Sequence, residues 1–136
     1  MPFEKKVLVK GRNKRPDYRV AAGVHQAGTQ AHRRLTGYII LSPELMAEND
    51  IDYGQWFCLL VGTGDKAGIV RLDFLAPGNE HNLTVRRENL KSDYGMVKSA
   101  LIPPAPNNVS ITEAKFNCPK KGIIDIKLPW DVGILD

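Results

Sequence analysis

The side chains with the clearest chemical potential are cationic, and they gather at one end of the chain. Residues 1–35 contain nine lysines and arginines (Lys5, Lys6, Lys10, Arg12, Lys14, Arg15, Arg19, Arg33 and Arg34) against Glu4 and Asp17, a net charge of +7. The remainder sums to −3, leaving +4 for the whole protein. Lysine and arginine neutralise phosphates and release their counterions, so this imbalance fits a nucleic-acid partner. Arg12, Lys14 and Arg15 are candidates for an arm on phosphates or in a minor groove, and Arg19, Arg33 and Arg34 extend the same charge. Tyr18 adds a ring suited to stacking on a base of a single strand.

The other reactive side chains assemble no recognisable site. His25 and His32 are seven residues apart and His81 is remote, whereas two ligands on one helix face are about three or four apart. Cys58 and Cys118 lie 60 residues apart, with no Cys-x-x-Cys pair and no base beside them. Gly62, Gly64 and Gly68 invite comparison with a phosphate-cradling loop. Lys66 sits inside that loop rather than after it, however, and a strand follows where a helix is needed. The glycines fit a hairpin connection better. A non-enzymatic protein without metal or cofactor is therefore expected.

These residues must be positioned by a β-rich body. The chain has 136 residues, 43% of them apolar and 25% charged, which fits one soluble domain. No apolar run approaches the ~18 residues of a membrane span, and Met1–Lys6 lacks the apolar core of a secretion signal, so a cytoplasmic location without membrane contact is expected. Strands are predicted at residues 6–10, 38–41, 55–61, 69–75, 81–87, 96–102, 109–117 and 122–128. Ser42 and Pro43 stand at the N-cap and first position of a single short helix, 43–48. Residues 17–35 show no clean period, with Gly23 and Gly28 weakening a helix, and read as an irregular or weakly helical arm. The fold class is thus mainly β: about eight short strands and one helix around a small barrel or swapped-hairpin-like core, with a basic arm over 1–35 and one domain over 36–136. The tail around Trp130 is too apolar for a free end, so it packs on the body or meets a partner.

Residues 35–75 carry one family likeness. Gly37-Tyr38-Ile39-Ile40-Leu41-Ser42, Leu45 in the helix and the turn Ile51-Asp52-Tyr53-Gly54-Gln55 keep the apolar and glycine register of one strand–helix–hairpin unit. The unit resembles the swapped-hairpin DNA-binding domains of the AbrB/MazE type. It departs from them at Ser42 for a proline, Tyr38 for a common arginine, Asn49 for an apolar residue and Gln55 for an acid. The resemblance implies a homodimer of interleaved hairpins, a DNA partner, and contacts from Arg33 and Arg34 beside the first strand. The expected function is a small dimeric nucleic-acid-binding regulator. The competing expectation is a β-rich assembly factor of a phage or mobile element, which would meet a protein partner through the tail at Trp130.

Overall fold

The computed structural model describes residues 18–27, 34–75, 83–89, 92–103, 105 and 109–132. Among them, ten strands form two antiparallel sheets. They are β1 (Val20–Ala27), β2 (Arg34–Leu41), β3 (Trp56–Val61), β4 (Ile69–Asp73), β5 (Leu83–Thr84), β6 (Arg86–Arg87), β7 (Gly95–Ser99), β8 (Val109–Glu113), β9 (Lys115–Lys120) and β10 (Ile123–Lys127). The first sheet runs β6-β7-β2-β1-β8 and the second β5-β3-β4-β10-β9. The predicted strand at 6–10 lies outside the described residues.

The two sheets face each other across one core. Val20, Ala22, Ile39, Leu41 and Val97 come from the first sheet, and Phe57, Leu59, Val70, Leu72, Ile124 and Ile126 from the second. Alternation does the sorting: in β4 the buried Val70 and Leu72 are flanked by half-buried Ile69, Arg71 and Asp73. Among the described residues the chain crosses between sheets at three places. One is the helix α1 (Pro43–Glu48), whose Leu45 and Met46 enter the core. The others are single buried residues, Val85 between β5 and β6 and Ala114 between β8 and β9, so that an extended segment bends from one sheet into the other. The hydrogen-bonded ladders remain two sheets and form no closed barrel, which corrects that part of the expected architecture.

The helix forms where the capping residues put it. The Ser42 hydroxyl accepts the Leu45 amide at 3.2 Å, and Pro43 supplies the first-turn geometry. At the other end Ile51 N–H donates to Met46 O at 2.9 Å and Asp50 N–H to Ala47 O at 3.2 Å, with Asp50 left-handed at φ 56°. Those two bonds make a Schellman stop. Asn49 then ties the stop to the distant β9–β10 turn. Its Oδ1 accepts Gly122 N–H at 2.8 Å, while Nδ2 donates to Leu45 O at 3.0 Å and to Cys118 Sγ at 3.8 Å.

Residues 20–27 correct the expected arm. They form β1, an inner strand hydrogen-bonded to β2 on one side and β8 on the other. Gly23 is required there because the Tyr38 ring of the neighbouring strand lies where a Cβ would project. A small second cluster, Tyr18, Ala21 and Ile40 with Tyr38, Tyr94 and Met96, covers that outer side of the sheet.

Candidate functional site

The described residues bring cations together on the outer face of the second sheet, a place the charge count by segment does not reveal. Register builds the site row by row. Leu60 on β3 is opposite Arg71 on β4, which is opposite Asp125 on β10, which is opposite Asn117 on β9. In the next row Ile69 is opposite Lys127, and Lys127 is opposite Lys115. The glycine-rich connection between β3 and β4 adds Lys66 from a single 3-10 turn, Gly64–Lys66. Together these residues line a depression of about 530 Å³.

The charges in it are unequal. Arg71 and Asp125 form a forked pair, with Nε donating to Oδ1 at 2.6 Å and a terminal nitrogen donating to Oδ2 at 2.9 Å. Those hydrogen bonds, and then the charge of Asp125, hold the guanidinium above its ordinary pKa, with Asp73 adding to the effect. Arg71 is therefore a fixed element of the sheet. Lys66, Lys115 and Lys127 have no carboxylate within ion-pair distance among the described residues. Lys115 and Lys127 also sit directly across from one another on neighbouring strands. Strand partners are about 5 Å apart, and like charges in that position destabilise a sheet. Leu60 and Ile69 add apolar lining to the depression beside its cations.

Three amides of the glycine loop are committed to the fold: Gly62 N–H donates to Ile69 O at 2.8 Å, Lys66 N–H to Thr63 O at 2.9 Å and Ala67 N–H to Gly64 O at 3.2 Å. What the loop contributes is the Lys66 side chain.

The residues expected from sequence fall elsewhere. Arg12, Lys14, Arg15 and Arg33 lie outside the described residues, and Arg34 opens β2 opposite Ala27. Arg19 is engaged within the fold: it pairs with Glu48 and its guanidinium lies 5.8 Å from the centre of the Phe116 ring. Tyr18 is 4% exposed and packs edge-on against Tyr94 at 5.7 Å, so its faces are not open to a base. Trp130 packs on the body, donating from Nε1 to Pro103 O at 2.9 Å and touching the main core. His25 is exposed, His32 and His81 lie outside the described residues, and no group of three potential metal-ligating side chains occurs among the described residues. No helix among the described residues is long and apolar enough to cross a membrane.

Comparison with known proteins decides nothing further. No family model, curated protein or solved structure matches this chain.

Proposed function

We propose that the protein is a non-enzymatic nucleic-acid-binding protein whose sheet face, β4-β10-β9 with Lys66, receives phosphates. The observation that carries this reading is the facing pair Lys115–Lys127, which has no carboxylate partner among the described residues. Such a pair opposes folding, and an anion between the two ammonium groups removes the repulsion. Lys66 provides a third unpaired cation on the same rim, and the +7 of residues 1–35 adds to the attraction at longer range. The likeness of residues 35–75 to swapped-hairpin DNA-binding domains points to the same class of partner. The homodimer that likeness implies would duplicate the face.

Affinity of this kind comes mainly from counterion release, so it falls steeply with salt. Fluorescence anisotropy of a labelled oligonucleotide between ~50 and ~200 mM salt is the test. The three unpaired lysines alone predict a slope of log K against log salt of about −2 or steeper. Binding that is absent at low salt, or that ignores salt, removes the proposal.

A further inference from the structure

Resting on that reading, we infer that the preferred ligand is a single strand, laid along β3 from the lysine rim to Trp56, with a base stacked on the Trp56 ring. Three observations combine. First, lysines and the aliphatic residues Leu60 and Ile69 line the same depression on the sheet face. A duplex hides its bases and offers phosphates on a convex surface. An unpaired strand can lay bases on such aliphatic residues while its phosphates reach lysines.

Second, Trp56 and Leu60 share one side of β3, because the strand alternates inward Phe57 and Leu59 with outward Trp56, Cys58 and Leu60. At the rise of an extended strand, four residues place Trp56 about 13 Å from Leu60. Trp56 is 47% exposed, and no aromatic or cationic side chain stacks on its ring among the described residues. A large aromatic left open in this way is an available stacking surface.

Third, cations follow closely in the chain after the strand partner of Trp56. Trp56 is paired with Thr84 on β5, and exposed Arg86 and Arg87 follow directly on β6. Arg87 lies 5.0 Å from the centre of the Tyr53 ring, forming an aromatic–cation unit. Asp73 lies opposite Cys58, and its Oδ1 accepts Leu75 N–H at 2.9 Å. A strand laid along β3 therefore meets lysines, then an apolar and acidic interval best spanned by bases, then the open Trp56 ring.

The test uses the full chain with a labelled oligothymidylate of roughly 20 nucleotides and the corresponding duplex at low salt. The single strand should bind about tenfold more tightly than the duplex. Trp56→Ala should weaken single-strand binding at least about fivefold while leaving duplex binding unchanged. Trp56→Phe should recover most of the loss, and the quenching of tryptophan emission seen with the native chain should be absent in that variant. Equal affinity for both forms, or a Trp56→Ala protein that binds the single strand normally, overturns the inference and leaves polyanion binding standing. Failure of every oligonucleotide to bind overturns both.

Discussion

Lys115→Glu combined with Lys127→Glu is expected to lower oligonucleotide affinity about 100-fold at low salt. Two charge-assisted contacts at about 1.5 kcal/mol each account for that factor, and reversal of sign adds repulsion. The single variants distinguish a binding role from a structural one. Lys127→Glu converts a repulsive cross-strand pair into an attractive one, because Lys115 is its direct neighbour on β9. Such an exchange stabilises a sheet by about 0.2–1 kcal/mol. Its melting temperature should therefore hold or rise slightly while affinity falls about tenfold or more. A protein that gains stability and loses its ligand by the same change carries those lysines for the ligand. Anisotropy titration and thermal denaturation of the same samples give both readings.

The largest effect on folding is expected at Asn49. Its side chain is 6% exposed and joins the helix stop to the β9–β10 turn through Gly122 N–H at 2.8 Å and Leu45 O at 3.0 Å. Asn49→Leu keeps the volume and removes the partners. Gly122 N–H, itself on a buried residue, then loses its acceptor, which costs about 1–3 kcal/mol, and loss of the bond to Leu45 adds about 1 kcal/mol. A total of about 2–4 kcal/mol corresponds to a fall in melting temperature of roughly 10 °C for a domain of this size. Asn49→Asp is the informative companion, since it retains the acceptor for Gly122 and loses only the donated bonds. It should fall between the native chain and Asn49→Leu in a denaturation series.

The chain announces some of this fold and conceals the rest for identifiable reasons. α1, β3 and β4 are legible because local chemistry decides them: Ser42 caps, Pro43 starts, and β4 alternates over a half-buried face. β1 is hidden because it is an inner strand covered on both faces. Val20, Ala21, Ala22 and Val24 are all buried, so no alternation survives in the sequence, and Gly23 answers a tertiary demand from Tyr38. The expected strands 81–87 and 109–117 each cover two observed ones, because among the described residues β5 runs into β6 and β8 into β9 across a single residue. Their division at Val85 and Ala114 depends on which sheet lies nearby.

The candidate site was obscured by the way charge is counted. Residues 36–136 are net negative along the chain, yet alternation and register sort Lys115 and Lys127 onto one face and Lys66 onto its rim. Part of the signal was present in Ile124-Asp125-Ile126-Lys127-Leu128, whose strict alternation assigns Asp125 and Lys127 to the same side. Recognising that Lys127 faces Lys115 and that Asp125 is occupied by Arg71 required the pairing of three strands. Arg19 and Tyr18 illustrate the converse. Both stand out in the sequence as ligand-seeking, and the fold engages one with Glu48 and buries the other against Tyr94.

The location of the binding face is tested most directly by amide chemical-shift mapping of the isotope-labelled full chain during titration with an oligonucleotide. The account predicts shifts concentrated at Leu60, Lys66, Arg71, Lys115, Asn117 and Lys127, the residues lining the depression on the second sheet. Shifts confined to residues 1–17, or to exposed positions of the first sheet such as Lys98 and Thr112, would contradict it.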